Sequence, residues 1–339
     1  SFKAFETDDF VVSADSITAG LWTGNQPILT TFFTSSTQVA NSNGDYYINV
    51  FNSSSLTDIQ FAIAYGDVNG SGSTEYDTSV VGKSPSSTSY GQYRTLVLGD
   101  ENAEFTFGGE ISPNFYAISV DRNRYKEGLF PGSTTLLLEG PSGDIISLTD
   151  NSQYATSVEF NDAGRVFQLI SGSAGTVTTN PVVAGGYSAS GSYGLFLPDI
   201  STYLLNPSAL DAAASDGGIV LATSRTQNAA NSVNYQKLYN AINNTNAQSF
   251  TANSEETITS DFIFVRPRSS EFNYSENPSF ISGSTGEVLY SSFINNPTTY
   301  VTTVGLYNNA SELLAVAKLS TPLEKDFTKE ALIRVKLDF

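Results

Sequence analysis

The sequence predicts a mainly β chain of several sandwich-like or barrel-like sheets, with a short helical connector. Three observations carry that expectation. Short runs of β-branched and aromatic residues recur along most of the 339 residues. Clusters of Gly, Ser, Asn and Asp separate them. The final residues alternate apolar and polar with strict period two.

Taken in order, 45–51 (DYYINVF) and 59–65 (IQFAIAY) read as two strands joined by a turn. The runs 95–98, 104–107, 115–120, 134–138, 145–148 and 166–170 continue the series. Two stretches carry helical spacing instead: 208–216 (SALDAAASD), following Pro207, and 231–243 (NSVNYQKLYNAIN). Near the end, 300–307 and 313–319 predict a hairpin across Asn308-Asn309-Ala310-Ser311. In the last strand Ile333, Val335, Leu337 and Phe339 alternate with Arg334, Lys336 and Asp338. Three pentapeptides, SGSAG, SGSYG and SGSTG, recur at irregular spacing and read as tight turns rather than a solenoid repeat. The organisation expected is an N-terminal β domain over 1–110, a middle β region over 111–206, the helical connector over 207–254 and a C-terminal sheet domain over 255–339.

Composition excludes several function classes. Cys, Met and His are absent, which removes disulfides, thiolate nucleophiles, zinc sites built on Cys or His, and triads with an imidazole base. Sixteen basic against 34 acidic residues give a net charge of −18. Such a chain repels phosphate backbones and anionic lipid at long range, so neither nucleic acid nor membrane is an expected partner. No apolar run approaches the roughly 18 residues of a membrane span, and the opening residues carry no leader pattern. A soluble chain is expected.

The remaining chemistry must come from carboxylates, hydroxyls, Lys, Arg or backbone. The loop at Asp67 places oxygen-bearing side chains at Asp67, Asn69, Ser71 and Ser73, with Gly72 at the sixth position, as a calcium loop does. Its twelfth residue is Thr78, so the bidentate carboxylate is missing and a Gly-rich loop after a strand is the better reading. A glycosidase carboxylate pair cannot be selected from 34 acids by spacing alone. No cofactor, metal or catalytic residue is therefore assigned. Trp22, the lone tryptophan, reads as a core or interface anchor before a sugar platform. The basic clusters Arg266-Pro267-Arg268 and 122–126 (RNRYK) fit either bidentate clamps on a neighbouring subunit or ordinary intrachain pairs.

The blocks 299–339 (TYVTTVGLYNNASELLAVAKLSTPLEKDFTKEALIRVKLDF), 269–280 (SSEFNYSENPSF), 193–210 (YGLFLPDISTYLLNPSAL), 122–132 (RNRYKEGLFPG) and 90–100 (YGQYRTLVLGD) resemble structural proteins of T4-like, contractile-tailed phages of cyanobacteria. The resemblance runs through most of the chain and implies a non-enzymatic virion protein, placed in the tail and most specifically in the baseplate or its wedge. Its partners would be other tail and baseplate subunits, and it would be oligomeric in the particle. On that reading Trp22, Phe272, Tyr274 and Phe280 are candidate hydrophobic anchors, with Arg266 and Arg268 setting register. The alternative is a tail-fibre or receptor-binding module that recognises host surface glycans.

Overall fold

The computed structural model describes residues 3–34, 47–52, 58–72, 84–178, 191–226, 234–244, 249–275 and 277–338. Strands take 45% of the chain and helices 16%, so the fold is mainly β. The chain divides into two compact units, Ile17–Glu256, and Ser1–Ser16 together with Thr257–Phe339.

The larger unit is built on one long sheet. Its strand order is Ile28–Leu29, Phe250–Thr251, Thr135–Glu139, Ile145–Asp150, Gly164–Ser173, Gly194–Leu197, Thr202–Leu205, Asn114–Val120, Ile59–Asp67, Tyr47–Asn52 and Phe32–Thr34. The first and last strands are separated in sequence only by Thr30 and Thr31, so the order returns on itself as a nearly closed barrel. Closure leaves few open edges.

Side chains alternate across this sheet into two cores. Phe61, Ile63, Tyr65, Tyr116, Ile118, Tyr203 and Leu205 feed one cluster, joined by Trp22, Phe250 and Leu238. Their sequence neighbours Ala64, Phe115, Ala117 and Leu204 feed a second cluster. Strands covered on both faces carry near-continuous apolar runs, which is why 115–120 and 193–205 show so little alternation.

What covers the second face is a helix, α1 (Pro85–Leu98), which places Tyr90 and Val97 in that cluster. This corrects the strand expected over 95–98. The run of Ser, Thr, Gly and Val has low helix propensity, and burial of Tyr90 and Val97 against the sheet overrides it. The termini carry the readable signals. Ser84 accepts a hydrogen bond from the Ser87 N–H at 3.4 Å, and Pro85 occupies the first turn. Gly99 ends the helix in the left-handed region (φ 64°) and donates to the Thr95 carbonyl.

The helix expected over 208–216 is shorter than its composition predicts. It ends as α2 (Pro207–Asp211), and a separate 3₁₀ turn follows at Ala214–Asp216. The Leu210 carbonyl accepts from the N–H groups of Ile219 and Leu221 instead of continuing the helical ladder. The second expected helix forms as α3 (Asn234–Ile242), with Leu238 and Ile242 fully buried in the first cluster; residues 231–233 lie outside the described residues.

The smaller unit is thinner. The strand Asn253–Val265 pairs antiparallel with Ile333–Asp338 on one side and neighbours Phe10–Gly20 on the other. The expected hairpin forms between Thr299–Tyr307 and Leu313–Lys325, closed by an Asx turn in which the Asn308 carboxamide oxygen accepts from the Ala310 and Glu312 N–H groups. Its core is Ile263, Leu306 and Val335, with Val304, Ala315, Ala317 and Leu337 packed around them. The period-two reading of the last strand holds through Asp338: Ile333 and Val335 are buried, Arg334 and Lys336 exposed, and Phe339 lies outside the described residues. A four-residue helix, α4 (Ser292–Asn295), precedes the hairpin. Two of the three pentapeptides are turns, with Gly175 and Gly286 at positive φ; Ser190 of the third lies outside the described residues.

Candidate interaction surface

Five of the six candidate anchors lie in the smaller unit; Trp22 does not. Trp22 is 2% exposed, with its ring centroid 4.9 Å from Phe250 and 6.1 Å from Phe61. It sits just ahead of a tight loop in which Trp22 and Gln26 exchange backbone hydrogen bonds. A Cβ on Gly20 would lie 2.0 Å from the Asn25 carbonyl oxygen, so that approach needs glycine. The ring is a core filler of the larger unit, which removes it from the surface anchors. A single Trp gives no sequence signal that separates these two uses.

Arg266 and Arg268 line a groove of about 780 Å³, together with Lys3, Asp8, Asp9, Phe264 and Glu330. Arg266 is engaged within the chain. Its Nε lies 3.2 Å from the buried Asp9 carboxylate, and its guanidinium donates to the Asp8 carbonyl. Lys3 donates to the Arg266 carbonyl and pairs with Glu271 at 3.3 Å. The Arg268 backbone N–H, with Lys3 behind it, holds Glu271 below the usual carboxylate range. The Arg268 guanidinium is exposed at the groove, with no hydrogen-bonding partner among the described residues.

Phe272 and Tyr274 line a second hollow of about 390 Å³, with Phe293, Pro297 and Phe327. Phe280 is half-buried and packs behind it, its ring 5.3 Å from Phe293. Tyr274 and Phe327 are 60% and 58% exposed, far more than core aromatics would be.

The loop bearing Phe272 and Tyr274 is held by a residue that sequence reasoning missed. Lys325 ends the second hairpin strand and is fully buried. Its ammonium donates to the Ser269 carbonyl at 3.0 Å, the Asn273 side-chain oxygen at 2.8 Å and its own neighbour's carbonyl at Asp326, 2.9 Å. Three donors meet three oxygens, which is what a buried ammonium requires. Nothing in the run 322–327 (PLEKDF) distinguishes this lysine from a solvated one.

Elsewhere the charged motifs close on the chain itself. Arg124 lies 3.2 Å from Asp58, Lys126 pairs with Glu256, and Arg122 donates to the Tyr125 carbonyl with its guanidinium over that ring. Asp67 is buried, accepts from the Asn69 and Ser71 N–H groups, and pairs with Arg225 at 2.7 Å. Those contacts occupy the carboxylate that opens the calcium-like pattern; Ser73 and Thr78 lie outside the described residues. Around it, burial pushes the Tyr65 and Tyr116 hydroxyls and the Asp211 carboxyl above their ordinary pKa values. Each of the three already has a partner: Asn114 for Tyr65, and Thr223 for both Tyr116 and Asp211. The set is an internal polar network that holds the segment carrying Val220 and Ala222, both in the left-handed region (φ 51° and 58°).

The surface left open is therefore apolar and concentrated. Of 26 large hydrophobic side chains exposed among the described residues, sixteen belong to the smaller unit. They include Val12, Tyr274, Ile294, Tyr300, Leu314, Val316, Phe327 and Leu332. No protein-family model, no curated protein and no solved structure matches this chain.

Proposed function

We propose that the protein is a non-enzymatic structural subunit of a contractile phage tail, placed at the baseplate, and that it acts by binding several neighbouring subunits at once. The observation that carries the reading is the concentration of open apolar surface on the smaller unit. Scattered exposed hydrophobics are normal, whereas sixteen on one small unit, interleaved with charge, are the composition of a surface that another chain covers. Aromatic side chains around one hollow, and at the other groove an exposed arginine whose guanidinium makes no hydrogen bond among the described residues, are the residue types that anchor interfaces. The sequence blocks resembling tail proteins supply the kind of assembly.

The test is immunogold labelling of purified contractile-tailed particles with antibody raised against the recombinant chain. Gold at the distal end of the tail tube supports the baseplate placement. Particles that carry no label, with label only in the unassembled fraction of the lysate, overturn the virion reading. The exposed Tyr274 and Phe327 beside one hollow favour a second reading, a glycan-binding tip. That reading requires label at fibre ends and binding of the free chain to host cells.

A further inference from the structure

The strand Ile333–Asp338 ends the strand order of its sheet, and its far edge has no neighbour among the described residues. Its pairing with Asn253–Val265 is unbroken from the Val265–Ile333 pair to the Ser260–Asp338 pair. The edge is therefore regular along its whole length, and alternate residues aim their N–H and C=O groups outward. Such an edge is a template for a further strand. The other open edges of this unit offer less. In Leu313–Lys325 the register is broken into the runs 315–318 and 323–325. Thr299–Tyr307 has no charged residue, and the one charge of Phe10–Gly20 is Asp15.

The charges on this edge select a partner. Ile333 and Val335 turn inward to the core, while Arg334 and Lys336 stand on the opposite, exposed face. Both cations lie over the Phe262 ring, the Arg334 Cζ 5.3 Å and the Lys336 Nζ 5.9 Å from its centroid. Asp338 answers one of them: it pairs with Lys336 at 2.9 Å and accepts from the Ser260 hydroxyl. Arg334 makes no hydrogen bond and no ion pair among the described residues, in a chain with 34 acidic residues against sixteen basic. Directly opposed side chains on neighbouring strands approach to roughly 5 Å, so a carboxylate on an added strand would reach this guanidinium. On the inner side Val335 and the half-buried Leu337 bound the small core. Apolar side chains of an added strand would extend that core.

We propose that the edge Ile333–Asp338 takes an extended acidic segment of a neighbouring protein as an added strand, with a carboxylate beside Arg334 and apolar residues beside Val335 and Leu337. The occupant is thus a segment in which Glu or Asp alternates with apolar residues, bound by main-chain hydrogen bonds and selected by charge. The proposal rests on the structural-subunit reading for the kind of neighbour and adds its chemistry. The net charge of −18 repels an acidic partner at long range. At about 0.15 M salt the screening length is about 8 Å, so Arg334 governs what touches it.

Fluorescence anisotropy of the full chain at that salt tests it, with a labelled eight-residue peptide alternating Glu and Val as the probe. Saturable binding is expected. Arg334→Glu, a change on the exposed face, is expected to weaken it at least about tenfold and to favour the Lys-Val counterpart. Two N-methylated versions of the probe, one for each set of alternate residues, test the ladder. One should lose binding and the other keep it, because only every second N–H faces the edge. No saturable binding of the parent peptide overturns the proposal. So does binding that Arg334→Glu leaves unchanged, or equal binding of both methylated versions. Heparin that binds through Arg334 where the peptide does not would make this a polysaccharide site, which also overturns it. Gold labelling of particles scores the virion reading separately, so either can fail alone.

Discussion

The two units solve the burial problem in opposite ways. Among the described residues the larger holds 46 of the buried hydrophobic side chains and the smaller only four, although the smaller has more than a quarter of the chain. Exposed large hydrophobics run the other way, ten against sixteen. In the larger unit a nearly closed sheet is covered on one face by its own interior and on part of the other by α1, so successive residues of a strand all find a core. In the smaller unit an open sheet and a hairpin share one thin layer, and their outer faces meet solvent. Half of the sixteen basic residues also lie there, so charge is interleaved with the apolar surface. Small folds bury a lower fraction of their chain, and the difference teaches that the larger unit closes its own core while the smaller leaves the apolar surface that the proposed neighbours would cover.

The strongest way to break that contrast is in the larger core. Trp22→Ala removes a buried ring packed between Phe61 and Phe250 and is expected to cost about 3–5 kcal/mol. Its Nε1 has no hydrogen-bonding partner among the described residues, so Trp22→Phe should be much milder. Urea unfolding of the three proteins measures both. A loss from Trp22→Ala below about 1 kcal/mol would contradict the close packing described for this core.

Next in size is the fully buried ammonium that holds the loop of the smaller unit. Lys325→Ala leaves three oxygens without their donor, an expected cost of about 1–3 kcal/mol. The loss should be local. Hydrogen exchange should speed up over 266–275 and leave α3 unchanged; uniform acceleration through both units would show that they do not respond separately. Smaller again is Ser84→Ala, expected to cost about 1 kcal/mol through the lost cap of α1, with faster exchange confined to that helix.

Titration separates the units without a core mutation. The Thr328 hydroxyl and backbone N–H, with Lys329, pull Asp326 down to about 2 from an ordinary 3.8. A carboxyl whose folded value is depressed stabilises the fold fully above the unfolded value. That contribution fades as pH falls from near 4 through about 2. NMR titration of the Asp326 carboxyl should give the low value in the wild type and a clear upward move in Thr328→Val. Identical curves would remove Thr328 as the cause.

Legibility in the sequence follows the same division. The hairpin and the final strand were readable because one face is wet, so Ile333 and Val335 alternate with Arg334 and Lys336. The long sheet was readable as strands, but its closure was not. Ile28–Leu29 meets Phe250–Thr251 over more than two hundred residues, and no local pattern encodes that pairing. The helix α1 was hidden because its Ser-rich sequence is helical only against the sheet, with Ser84 and Gly99 as its faint markers. Among the surface residues, the basic cluster in an acidic chain pointed to Arg266 and Arg268 and the resemblance to Phe272 and Tyr274, and the structure places them beside two hollows. Trp22 and Lys325 went the other way, because burial is a property of the fold around a residue and not of the residue.

The smallest expected effect is the most diagnostic. Leu314→Ser removes an apolar side chain as large as those of the core, yet Leu314 is 68% exposed. In an isolated monomer its loss should move the unfolding free energy by no more than about 0.5 kcal/mol. If the smaller unit is completed by a neighbour, the cost appears only when that neighbour is present. Measured at a low concentration, where the chain is monomeric, the variant and the wild type should unfold together. At a high concentration the wild type alone should gain stability, because association draws the equilibrium toward the folded state by mass action. Equal gains in both proteins would mean that Leu314 stays in water in the associated form, and that the apolar face of the hairpin is not what a neighbour covers.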